Sequence, residues 1–121
     1  MILFNLILPA IVALMLAGGQ LLFKQSGLAI AGKSPGEAVS TLIALPAFWI
    51  SLALYGVATI LWIIVLSRAS LARSYPWVAL PIVLVPLLAS RIFHEELPAR
   101  FWLGLVILLC GMVLTQWPSA R

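Results

Sequence analysis

Apolar residues fall into four long runs, 2–23, 42–66, 71–93 and 101–117, and polar residues collect between them. A helix needs about 20 apolar residues, range roughly 17 to 25, to cross the hydrocarbon of a bilayer. All four runs fall within that range, the last at its short end. Helices satisfy their own backbone hydrogen bonds in lipid. The pattern therefore predicts an all-α membrane protein: one transmembrane domain over 1–121, with four helices over these runs.

The gaps refine this picture. The connection 24–41 holds Gly27, Gly32, Pro35 and Gly36, which predicts a surface loop with room for a short interfacial helix. The stretch SRAS at 67–70 reads as a tight turn, and HEELPAR at 94–100 as a polar turn with Pro98 near the start of the last helix. The first run lacks a basic leader, and Gly18–Gly19 passes into more apolar sequence. It is expected to be a retained span rather than a cleaved signal.

Composition agrees with the pattern. Hydrophobic residues make up 64% and charged residues 8% of the chain, where a soluble domain carries about 25% charged. The net charge of +4 comes from cations scattered at run ends, where Lys and Arg snorkel to headgroups, so nucleic acid is not an expected partner. Four spans put both termini on one side. The first and third connections carry Lys24, Lys33, Arg91 and Arg100, against Arg68, Arg73 and Arg121 opposite. The positive-inside rule leans toward the first side being cytoplasmic. Cys110 stands alone inside the fourth run, so no intramolecular disulfide can form.

Polar residues within the runs are the functional candidates. Gln20 and Lys24 are four apart and share a helix face with Ala13, Leu16 and Ala17. Lys24 is either an interfacial anchor or, with Gln20, a cation and amide placed to meet an anion. Ser51, Tyr55, Thr59 and Trp62 fall within about 80° on one helix. They predict an inward stripe, serving interhelical bonds or a polar substrate. Pro76, Pro81 and Pro86 mark the third helix as the least regular. Gly104 and Gly111, seven apart, return to one face and suit close helix approach. In HEE at 94–96, Glu95 could pair with Arg91, and Glu96 with Arg100. These ligands are too few for a metal. No nucleophile–base pair, phosphate loop or carboxylate dyad is legible, so neither an enzyme nor a cofactor is expected.

The segments GQLLFKQ, ARSYPW and HEELPARFWLGLVILLCGMVL, with four spans in this length, resemble the small multidrug resistance-like members of the drug/metabolite transporter superfamily. Gly19, Gln20, Lys24 and Gln25, then Tyr75–Pro76 and His94–Glu95, are similar to motifs of its undecaprenyl-phosphate-aminoarabinose flippase subunits. The resemblance implies a small four-helix bundle that moves a polyprenyl-phosphate-linked sugar across the bacterial inner membrane for lipid A modification. It also implies a homo- or heterodimer, with Gly104 and Gly111 on the dimer face. The multidrug branch keeps a glutamate in its first helix eight residues before the lysine, where this chain has Leu16. All three acids, Glu37, Glu95 and Glu96, are expected in loops.

On this reading Lys24 and Arg73 engage the phosphate. Gln20, Tyr55, Trp62 and Tyr75 line the sugar's path, and the lipid tail lies between the second and third helices. The rivals are a multidrug-type exporter and a non-transporting subunit of a glycosyltransferase complex.

Overall fold

The computed structural model describes residues 2–117. Among the described residues all regular structure is helical, and four helical segments are long and apolar enough to cross a membrane: Leu3–Ile30, Pro46–Leu66, Leu71–Ile92 and Ala99–Gln116. The all-α expectation holds, with informative shifts at the boundaries.

The first span opens as a π-helical turn, Leu3–Ile7, and continues as α1, Leu8–Ile30. Pro9 has no N–H to give the Asn5 carbonyl, so the regular ladder starts only after it. α1 runs past the expected end at Phe23, so Lys24 lies inside the helix, six residues or about 9 Å short of its end. The stop is a type II turn. Ala31 has φ −57 and ψ 129, Gly32 has φ 75, and the Lys33 N–H donates to the Ile30 carbonyl at 3.1 Å. Glycine is required there because the second turn position needs a left-handed backbone.

The short helix in the first connection exists: α2, Pro35–Ala44. The Glu37 carboxylate reaches back and accepts from the Ser34 N–H at 3.1 Å and from its hydroxyl at 2.7 Å, a reciprocal cap. The second run, expected to start at 42, is divided. Residues 42–44 finish α2, Leu45 is extended, and α3 covers Pro46–Leu66. Pro46 is the cause, since a following proline pushes the preceding residue out of helical geometry.

The third span is in three parts: α4 (Leu71–Ser74), a 3₁₀ segment (Tyr75–Ala79) and α5 (Leu80–Ile92). Pro76 is the second residue of the 3₁₀ segment, Pro81 the second of α5, and Pro86 lies further inside α5. The fourth span is α6, Ala99–Gln116, preceded by Pro98.

α1 is the central helix. It packs most extensively on α3 and next on α5, whereas α6 touches mainly the 3₁₀ segment. The buried residues of α1 include Val12, Ala13, Ala17 and Gly19; those of α3 are Ala47, Ser51, Ala58 and Val65. Small residues let the two backbones approach. At Gly19 the approach is closest, and a Cβ there would run into the Tyr55 ring. Large apolar side chains such as Ile63, Leu103, Ile107 and Leu114 face outward. In lipid that exposure costs nothing.

Successive spans alternate in direction, so the bundle has two ends. The loop end carries Lys24, Lys33, Arg91, Arg100 and all three acids. The terminal end carries Asn5, Arg68, Arg73 and Gln116, with the Arg68 guanidinium 4.8 Å above the Phe4 ring. Arg121, counted with this side in the sequence, lies outside the described residues.

Candidate functional site

At the loop end, α1 and α3 bring Gln20 and Tyr55 together: the Gln20 amide Nε2 donates to the Tyr55 hydroxyl. The Phe23 and Tyr55 rings pack at 5.0 Å with a 38° tilt. One turn beyond Gln20, Lys24 Nζ meets Glu95 Oε1 at 2.9 Å, both side chains partly exposed. The expected pairs of Glu95 with Arg91 and of Glu96 with Arg100 do not form. The Lys24–Glu95 pair is the one salt bridge among the described residues. The reason is local. α5 stops at Ile92, and His94 takes a left-handed backbone at φ 55, so no helical register links 91 to 95 or 96 to 100. That reversal turns Glu95 back toward α1. The acid is in a loop as expected, yet it answers the cation inside the first span.

The predicted stripe on α3 separates into different environments. Ser51 is fully buried and its hydroxyl donates to the Phe48 carbonyl of its own helix at 2.7 Å. Thr59 donates to the Tyr55 carbonyl at 2.8 Å and is exposed. Trp62 is half-buried, seven residues or about 10 Å further along α3 than Tyr55. Of the four, only Tyr55 has a side-chain hydrogen bond to another helix.

At the terminal end, Arg73 and Trp77 line a groove of about 480 Å³ shared with Asn5 of the first span and Gln116 of α6. Tyr75 is 60% exposed and stands with Pro76 on the rim of a neighbouring shallow groove. Lys24 and Arg73 are therefore at opposite ends of the bundle, and one phosphate cannot rest on both at once. Gly104 and Gly111 on α6 are open, with no other part of the chain near either.

Sequence reasoning missed Asn5, Gln116 and the role of Glu95. Asn5 left a signal, being the single Asn of the chain and placed inside an apolar run. Glu95 left none, because its placement depends on a backbone reversal at a histidine. Among the described residues no group of three or more His, Cys, Asp or Glu could hold a metal ion.

Four alternating apolar helices with polar groups gathered at both ends define a multi-pass membrane protein. The chain is similar to the probable 4-amino-4-deoxy-L-arabinose-phosphoundecaprenol flippase subunit ArnE of Salmonella typhimurium (strain LT2), 38% identical over 68 residues. Those residues are 54% of this chain and 61% of that protein. The same figures hold for ArnE of Salmonella newport (strain SL254). The chain spans about three fifths of the length of the curated relatives it matches. Their names describe transport rather than catalysis. No family model matches the chain, and no solved structure does.

Proposed function

We propose that this protein is a flippase, or one subunit of a flippase, that moves a polyprenyl-phosphate-linked sugar such as undecaprenyl-phosphate-aminoarabinose across a bacterial inner membrane. The carrying observation is the placement of charge: cations at both ends of the bundle and no acid inside any of the four spans. A proton-coupled exporter of lipophilic cations needs a membrane-embedded carboxylate, whereas these charges suit a phosphate. The similarity to flippase subunits supports the same substrate class.

Lys24 and Arg73 then act in succession, one at each end, rather than together. Gln20 and Tyr55 form the polar wall beside Lys24; Trp62 and Tyr75 offer aromatic faces along the way. Four helices enclose little volume, so the working unit is a dimer, homo- or heteromeric, joined through the open Gly104 and Gly111 face of α6.

The test is a flipping assay in proteoliposomes loaded with the lipid-linked sugar, alone and with candidate partner subunits. Transport that disappears in Lys24→Gln and Arg73→Gln supports the reading. PH-dependent binding of quaternary ammonium dyes without lipid transport would overturn it in favour of an exporter. Purification solely as a glycosyltransferase complex that flips nothing would overturn it in favour of an accessory subunit.

A further inference from the structure

The acids Glu37, Glu95 and Glu96 all sit at the loop end, so among the described residues the cations of the terminal end have no acidic side chain to answer them. Among the described residues no carboxylate pairs with Arg73, whose exposed side chain lines the 480 Å³ groove. Asn5 and Gln116 line the same groove, and among the described residues neither side chain makes a hydrogen bond. Both amides are therefore open to a polar headgroup as a partner. Leu6 and Met112 continue the wall in apolar form, and Trp77 contributes an amphipathic ring. The groove is therefore itself amphipathic: a guanidinium, two amides, then hydrocarbon.

The geometry points to a binding groove for a phosphate-bearing lipid, with the phosphate on Arg73, the polar headgroup on Asn5 and Gln116, and the chain along Leu6 and Met112. An anion fits because, among the described residues, this end carries cations and no acidic side chain. Arg offers two parallel donors to two phosphate oxygens. The identity of that lipid rests on the flippase reading. The groove also moves the lipid chain from the seam of the second and third helices to the seam shared by the first, third and fourth spans.

The experiment uses the full chain in nanodiscs and a polyprenyl phosphate carrying a photoactivatable group in its chain, with labelled residues mapped by peptide mass spectrometry. Label should fall near Leu6 and Met112. It should drop about tenfold in Arg73→Gln, the scale of one lost charge-assisted contact, and less in Arg73→Lys or in Asn5→Leu combined with Gln116→Leu. Unchanged thermal midpoints keep a loss of label from being a loss of fold. A phosphatidylcholine probe should label weakly. Label confined to the seam of the second and third helices, or label indifferent to Arg73→Gln, would overturn the groove. So would displacement by millimolar inorganic phosphate, which would make the ligand a free anion, or cross-links between copies at Met112, which would make the occupant a second chain. A phosphatidylglycerol probe that labels as well as the polyprenyl phosphate supports the groove while removing its support for the flippase reading. Arg73-dependent flipping with label elsewhere keeps the flippase reading and overturns the groove.

Discussion

The two ends of the bundle are built from the same chemistry and spend it differently. Each has a cation, an amide and aromatic rings. At the loop end these groups are consumed internally: Gln20 bonds Tyr55, Tyr55 packs on Phe23, and Lys24 pairs with Glu95. At the terminal end Arg73, Asn5 and Gln116 line one groove without bonding one another. The difference follows from where the acids fall, and from a hairpin at His94 that delivers one of them to Lys24. A ligand arriving at the loop end must displace an existing partner; one arriving at the terminal end need not. Residue type names the candidates, but neighbours decide which are free to bind.

The sharpest way to break this comparison is to neutralise each cation in turn. Arg73→Gln should lower transport of the lipid-linked sugar about tenfold or more, with partial recovery in Arg73→Lys. Lys24→Gln should cost less, because the wild-type cation is already shared with Glu95. The reverse order in a flipping assay would invert the roles of the ends. Next in size is the packed seam beside Tyr55. Gly19→Leu should destabilise by about 1–3 kcal/mol through overpacking, read as a fall in thermal midpoint in detergent. Gly18→Leu, where no other part of the chain is near, should change it little.

The outer face of α6 gives a third test. Gly104→Leu with Gly111→Leu should shift native-mass populations from dimer toward monomer while leaving the monomer's own unfolding almost unaltered, since both positions are open. A smaller effect is expected at the loop-end ion pair. Glu95→Gln should cost about 0.2–1 kcal/mol, less in high salt, as for other exposed pairs; a larger loss would mean that the pair holds the hairpin in place. The smallest concerns Glu37. The Ser34 hydroxyl and then its backbone N–H hold the Glu37 carboxyl below its ordinary value of 4.5. A depressed carboxyl stabilises the folded state fully above its unfolded value, and that stabilisation is lost as pH falls through the folded one. The Ser34 amide resonance should therefore keep its capped position at neutral pH and move only below about pH 4.5, with a slight loss of α2 helicity.

The spans were legible because hydrophobic length alone sets them, and because prolines flag irregular backbone. The boundaries were less so. The run ending at Phe23 stopped at the first charge, yet Lys24, Gln25 and Ser26 are all tolerated in a helix, and the true stop is the left-handed Gly32. Pro46 was visible but was read as part of an apolar run, when its effect on Leu45 ends one helix and starts another. At the site, helical spacing found Gln20 and Tyr55 on their own faces, and only tertiary packing could show that they bond each other. The stripe points inward at Ser51, as expected, but not at Thr59, for a physical reason: hydroxyls can satisfy themselves on the carbonyl of the preceding turn, so a polar residue in a span does not by itself need a neighbouring helix.

The third span has mechanical properties that follow from its missing hydrogen bonds. A regular helix is stiff because each carbonyl is tethered to an amide one turn on. Pro76, Pro81 and Pro86 cannot donate to the carbonyls of Ala72, Trp77 and Ile82, and in Tyr75–Ala79 a tighter turn takes over, with the Leu80 N–H holding the Trp77 carbonyl. Its compliance is concentrated within a few residues of Arg73 and Trp77. The first and second spans, clamped where Gly19 meets Tyr55, behave as a rigid post. A guest that wedges the terminal end open would therefore spend its work on the segment that yields most easily. The post would keep its shape, and the bundle could spring back when the guest leaves.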